Sequence, residues 1–355
     1  MARVNKKNKK PVWREWLEAI LIAVLVVWAV KTFLFEAYTI PTTSMEKTLM
    51  AGDYLVVEKL TYGARLPITP LSIPLVGKTS HWIPLEKTFS DIITLPYLRM
   101  PGLRSIKKND VIVFNYPIEH SFPIDKRTNY IKRCVAEPGD TLAIKKGELY
   151  INDELQEMPE HGQLNYILQF DNMDAYQLFM KKEEIADGGL MRKNVAKIPL
   201  TQQQYNFYKD SLPVDRRLQP HYTYEDYLFP GTEEYKWNID HYGPLVVPKK
   251  GEAVEINLKN LPFYYEIIST FEKNDLKLID GKIYINEKEI NTYTFKMNYY
   301  FALGDNRYYS ADSRFWGFIP EDHISGKAAL VIFSLKNGEG FFDNIRWERW
   351  FKKIK

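Results

Sequence analysis

Ser44 and Lys132 are the residues of this sequence best placed by type to do hydrolytic chemistry. Ser44 sits in Ile40-Pro41-Thr42-Thr43-Ser44-Met45, where Pro41 fixes a turn and small hydroxyl residues leave room around it. Lys132 sits in Tyr130-Ile131-Lys132-Arg133-Cys134-Val135, an otherwise mostly apolar stretch. A Ser hydroxyl attacks when a base takes its proton. A Lys can be that base when burial lowers its pKa and leaves the amine neutral. Taken singly, neither residue decides the matter. A Ser in a loop often caps or solvates, and a Lys in a strand often points to water or marks an edge.

Other chemistries have less to work with. The single cysteine, Cys134, excludes an intrachain disulfide and a thiolate zinc cluster. The six histidines (His81, His120, His161, His221, His241 and His323) form no HExxH and no close pair, so no metal and no cofactor is expected. With 355 residues the chain has room for about two domains. A net charge of +3 is too balanced for a dedicated nucleic-acid binder, so no nucleic-acid partner is expected. The 24 Tyr, 19 Phe and 8 Trp favour strands and tolerate a membrane interface.

The elements that must position the two residues begin with a membrane segment. Residues 1–15 are basic, with Arg3, Lys6, Lys7, Lys9, Lys10 and Arg14. The 20 residues from Trp16 to Phe35 can span a bilayer, with Glu18 and Lys31 near the ends. A cleaved export signal has a similar pattern, but no small-x-small site follows cleanly because Trp28, Lys31 and Phe33 crowd the exit. An uncleaved anchor is therefore expected, N-terminus cytoplasmic and the rest outside.

Period-2 patterning then dominates. It predicts strands at 54–59, 111–116, 130–136, 147–151, 281–285, 295–303 and 328–335, separated by turn sequences such as Pro138-Gly139-Asp140. A mainly β fold follows. GELYIND (147–153) and GKIYINE (281–287) are a short repeat, either a common strand-turn pattern met twice or a duplicated hairpin. The proline-rich stretch 61–108 reads as a partly ordered excursion. Residues 155–250 read as an inserted, smaller α+β region, helical near 174–187 and 201–211. The basic-aromatic end, IRWERWFKKIK (345–355), has the spacing of a short helix that would lie on lipid or dock on the body.

Four blocks in order resemble the bacterial type I signal peptidases, a membrane-bound leader peptidase family with a Ser-Lys dyad. They are IPTTSMEKTLMAGDYLVVEK (40–59), NDVIVFNYP (109–117), YIKRCVAEPGD (130–140) and GDNRYYSADSRFWGFIP (304–320). The last is the most specific. With the anchor they cover under a third of the chain. The resemblance implies a catalytic core of antiparallel sheets in two parts, 37–154 (with the 61–108 insert) and 251–344. Ser44 would be the nucleophile and Lys132 the general base. The backbone N–H of Ser44 and the hydroxyl of Thr42 would form the oxyanion hole, Thr standing where Ser is usual. Ser310 would orient the Lys. Asp312 with Arg314, and Asp305 with Arg307, would form supporting clusters. Tyr38, Ile40, Met45, Leu49, Tyr130 and Ile131 match pocket-lining positions.

The implied reaction is removal of signal peptides from exported preproteins after small-x-small motifs, at the outer face of the cell membrane and against the lipid bilayer. Tyr308 and Tyr309 depart from the family pattern at positions that read as peripheral. Two other readings stay open: a self-cleaving repressor type of Ser-Lys protease, opposed by the anchor and the Gly-Asp-Asn-Arg block, and an inactive anchored homologue that binds export signals or scaffolds an envelope complex, opposed by the presence of both Ser44 and Lys132.

Overall fold

The computed structural model describes residues 11–72, 87–211, 214–215, 225, 227–336 and 344–355. The basic residues up to Lys10, together with His81 and His221, lie outside the described residues.

The chain opens with helix α1 (Val12–Phe33), whose apolar surface is almost wholly exposed and which is long and apolar enough to cross a membrane. The helix stops two residues earlier than its hydropathy predicts. Residues from Phe35 onward are taken by a strand, β1 (Phe35–Thr39), which pairs antiparallel with β2 (Asp53–Glu58). Glu36 fastens this junction, lying 2.9 Å from Lys59 and 3.3 Å from Lys31. The first residue past the span is thus already part of the folded body.

The main sheet is antiparallel and eight-stranded. Next to β2 comes the long strand Ile324–Ser334, then β3 (Val111–Asn115), β4 (Asn129–Ala136), Tyr299–Leu303 and Ile319–Pro320. The predicted strands at 54–59, 111–116, 130–136 and 328–335 fall on these elements. The one predicted at 295–303 is shorter, Tyr299–Leu303, because Phe295 bonds instead to the backbone of Gly251 and Glu252. Two features matter for the site. β1 ends the sheet, and only residues 133–136 of β4 meet Tyr299–Leu303. Residues 129–132 of β4 therefore keep one backbone edge free of strand pairing among the described residues.

The repeat proves to be a structural one. Asn152-Asp153 and Asn286-Glu287 each turn a two-residue hairpin with both φ values positive, between 51° and 67°. Such a turn matches the strand twist and favours Asn at its first position. In both copies the Asn amide oxygen accepts an upstream N–H, from Thr141 at 2.8 Å and from Asp275 at 3.0 Å. The two small sheets share an aromatic-rich core that includes Tyr242, Phe271, Tyr299 and Phe301.

Residues 163–215 make a separate four-stranded sheet with helices Met173–Lys182 and Gln202–Tyr208. The helices start at Asn172 and Thr201, whose side chains cap them. This small lobe has its own core, built on Tyr166, Leu168, Phe179, Ile198 and Tyr208.

The C-terminal helix expected at 345–355 does not form. Trp347–Arg349 is one 3₁₀ turn, and Lys352–Lys353 pairs with Leu330 and Val331. The physical reason is that its cations are not all surface groups. Arg349 Nε donates to buried Asp53 Oδ1 at 2.9 Å, and Arg346 Nη1 donates to the Ala51 carbonyl at 3.0 Å. A basic helix lying on a surface would have pulled both out. Trp347 and Trp350 remain on the outside, ring centroids 4.5 Å apart.

Candidate active site

The Ser44 turn is built where β1 crosses to β2. Ile40 N donates to Asp53 O and Gly52 N to Ile40 O, each at 2.9 Å, which closes residues 41–51 into a loop. Its apolar residues Met45 and Leu49 point down into a core with Leu55, Val57 and Val111. With those side chains pinned there, Ser44, the residue before Met45, is left lining the cleft. Met45 and Leu49 are 1% and 0% exposed and do not reach the cleft surface. Their placement differs from the pocket-lining role expected of them.

Lys132 approaches from the middle of the sheet, opposite Ile112 of β3. Its side chain is 3% exposed, and Nζ lies 2.5 Å from Ser44 Oγ. Burial pulls its pKa from the ordinary 10.5 to about 8, with Asp312 and Asp305 pushing it up and Arg314 pulling it down. The carboxylates do not capture the ammonium because each is already engaged. Arg314 Nε and Nη2 donate to the two oxygens of Asp312 at 2.9 and 2.8 Å. Arg133 Nε and Nη2 donate to those of Asp305 at 2.8 and 2.7 Å. These two-point pairs leave Lys132 desolvated without a strong counter-ion, the setting that brings an amine's pKa down towards physiological pH, where a usable fraction is neutral.

Asp312 and Arg314, expected as a supporting pair, are brought together. Asp305 and Arg307 are both buried and interact through charge, with Asp305 paired to Arg133 and Arg307 Nε donating to the Gly304 carbonyl at 3.1 Å. Burial lowers Arg307 to about 10. Sequence reasoning missed Arg133. A second charged residue beside Lys132 in a buried strand was the available signal. Ser310 is buried under the turn, 6% exposed, and among the described residues no hydrogen bond joins it to Lys132.

An open cleft of about 350 Å³ leads to the pair. Tyr38 and Ile40 of the β1 side, Tyr130 and Ile131 of β4, Thr42 and Ser44 line it. Tyr309 lines it too, although its sequence position reads as peripheral. It stands next to Ser310 in the turn that passes beneath Ser44, so its ring reaches the cleft wall. Tyr308 faces away and donates to Asp240 Oδ1 at 2.7 Å. Among the described residues no group of three or more His, Cys, Asp or Glu is placed to hold a metal.

The sequence has known relatives. A family model described as "Signal peptidase, peptidase S26" matches residues 13–199 and 250–333. The chain is 25% identical to a "Signal peptidase I" of Buchnera aphidicola subsp. Acyrthosiphon pisum, over 95% of this chain and 80% of that protein. It is 28% identical to that of Helicobacter pylori, over 96% and 91%, and 24% identical to that of Aquifex aeolicus, over 91% and 85%.

Proposed function

The chain belongs to the signal peptidase family, peptidase S26, and we propose that it removes signal peptides from exported preproteins by a Ser44–Lys132 dyad. One observation carries the mechanism: Lys132 Nζ lies 2.5 Å from Ser44 Oγ, buried at the end of an open cleft.

The neutral amine takes the Ser44 proton as Oγ attacks the scissile carbonyl. The resulting oxyanion is held by the Ser44 N–H and the Thr42 hydroxyl, the latter at the cleft surface beside Ser44. The ammonium returns its proton to the leaving amine, and the acyl-enzyme is left. The mature protein leaves as that amine. Lys132 then draws a proton from water as the water oxygen attacks the acyl carbonyl; the bond to Ser44 Oγ breaks, Oγ takes the proton back, and the signal peptide leaves with a C-terminal carboxylate. Ser310 positions Lys132 in the working complex, and Asp312–Arg314 with Asp305–Arg133 hold the surrounding charge fixed.

The substrate binds extended, adding a strand between the free edges of β1 and residues 129–132 of β4. Tyr38, Ile40, Tyr130 and Ile131 make shallow apolar walls, suited to the small-x-small motif that ends export signals. The anchor α1 runs through the membrane with its N-terminus cytoplasmic. Since β1 follows it after one residue, the cleft sits at the outer lipid boundary.

The test is cleavage of a purified preprotein bearing Ala-x-Ala by the detergent-solubilised chain, with the cut mapped by mass spectrometry. Cutting after the second Ala, lost in Ser44→Ala and Lys132→Ala, is the expected result. No cutting by folded wild type with several preproteins would overturn the reading in favour of a binding homologue.

A further inference from the structure

The turn that carries Ser44 is gripped from outside by four residues of the small lobe, three directly and Asp187 through Asn306. Ala186 N donates to Glu46 Oε1 at 3.0 Å. Lys47 Nζ donates to the carbonyl of Glu183 and, at 3.3 Å, to that of Glu184. Asn306 Nδ2 donates both to Thr43 O at 3.3 Å and to Asp187 Oδ2 at 2.8 Å, and its backbone N–H donates to Ser44 O at 3.1 Å. Residues on both sides of the nucleophile are therefore tied to 183–187, directly or through Asn306. Lys47 has φ +68°, a left-handed conformation that a non-glycine side chain keeps where its surroundings hold it.

The gripping segment is itself fixed. Ile185 is buried in the lobe core with Phe179 and Tyr208. The Glu183 carboxylate accepts from Gln204 Nε2 at 2.8 Å and from the Tyr208 hydroxyl. Glu184 pairs with Lys336 and lies 3.6 Å from Arg346. At the lobe's other end Gln163 N donates to Asp305 O at 2.8 Å, so the lobe touches the Ser44 turn and the 304–310 segment beneath it. Glu46 is 2% exposed, which places its attachment inside the structure.

We propose that residues 183–187 are a brace through which the small lobe holds the Ser44 turn in register with Lys132, with Glu46, Lys47, Asp187 and Asn306 as positioning residues. This rests on the Ser44–Lys132 reading above. The core pins the turn from one side through Met45 and Leu49, and the brace pins the other. Attack by Oγ tolerates little misplacement, a shift of about 1 Å costing about a hundredfold in rate. The brace does not line the cleft between β1 and β4, so its loss should slow the chemistry and spare substrate binding.

The test uses the full chain in detergent with Asp187→Ala, Glu46→Ala and Glu46→Gln, the last keeping the amide oxygen that Ala186 needs. Steady-state cleavage of a preprotein is combined with hydrogen exchange read by mass spectrometry. The two Ala variants should lose about tenfold or more in kcat, with KM within about twofold, while Glu46→Gln keeps most of its activity. Peptides covering 40–50 should exchange faster, and those covering 111–115 and 163–169 should keep their protection. Unchanged kcat and unchanged 40–50 exchange in both Ala variants would overturn the brace. So would faster exchange spread evenly over the body, which marks a general stabiliser. Should wild type fail to cut any preprotein, the dyad reading falls, and the exchange data alone still decide whether the brace exists.

Discussion

Gly304 passes so close under Ser44 that a Cβ at this position would stand 2.6 Å from the Ser44 carbonyl oxygen and 2.2 Å from Ser310 Oγ. No side chain fits there, and the nucleophile turn rests directly on backbone. Gly304→Ala must therefore lift the turn or push Ser310 aside. Activity is expected to fall by about a hundredfold while the protein still folds. Steady-state kinetics with a far-UV spectrum checks this, and wild-type kcat in the variant would show that the close packing has no bearing on Ser44.

Lys132 is held against its own ionisation, and that has a stability consequence. Its pKa is about 8 when folded against an ordinary 10.5. Between those values the unfolded chain binds the extra proton, so stability contributed by this group rises with pH over that window. Below pH 8 the folded state carries the full penalty. Lys132→Met, close in volume and uncharged, should be inactive yet more stable than wild type at pH 7, by up to about 3 kcal/mol, with the gain fading towards pH 10.5. Thermal unfolding in detergent at pH 7 and pH 10 measures it. Equal destabilisation at both values would contradict the buried, uncompensated amine.

The Arg133–Asp305 pair predicts an asymmetry between buried and surface charges. Arg133 is 3% exposed and Asp305 0%. Asp305→Ala leaves a buried guanidinium without its carboxylate and should cost about 3–5 kcal/mol. Lys282→Ala, which removes an exposed pair with Glu289, should leave the melting temperature unchanged. Similar melting shifts in the two variants would mean that the buried pair is not strongly coupled.

Tyr309 should help set which side chains the cleft accepts. It lines the wall with Tyr130 and Ala311. Tyr309→Ala opens that wall, so preproteins with Val or Leu at the residue before the cut should gain relative to Ala by about tenfold in kcat/KM. An unchanged Val-to-Ala ratio would place the ring outside the side-chain pocket.

Much of the architecture was legible because it is written in local pattern. The apolar run at 111–114 and the strand at 130–136, the two Asn-centred hairpins and the capped helices after Asn172 and Thr201 all follow from neighbours in sequence. That Ser44 and Lys132 come together was legible through the blocks around them. What escaped depends on contacts between distant segments. Arg133 meets Asp305 across 172 positions, and Glu46 meets Ala186 across 140. Tyr309 is carried to the cleft by the turn beneath Ser44, which its own sequence does not describe. The C-terminal end misled because helical spacing of Trp347, Trp350 and Ile354 is also compatible with a tight turn and a short strand. The burial of Arg346 and Arg349 decided between them.

The account stands on a neutral Lys132 serving Ser44, and the pH dependence of kcat/KM tests it most directly. With a single preprotein, the wild-type rate should rise tenfold per pH unit below about 8 and level off above it, following the fraction of neutral amine. An acid limb near 6.5, where an ordinary histidine titrates, or cleavage that persists in Lys132→Met, would contradict the claim that this lysine is the base.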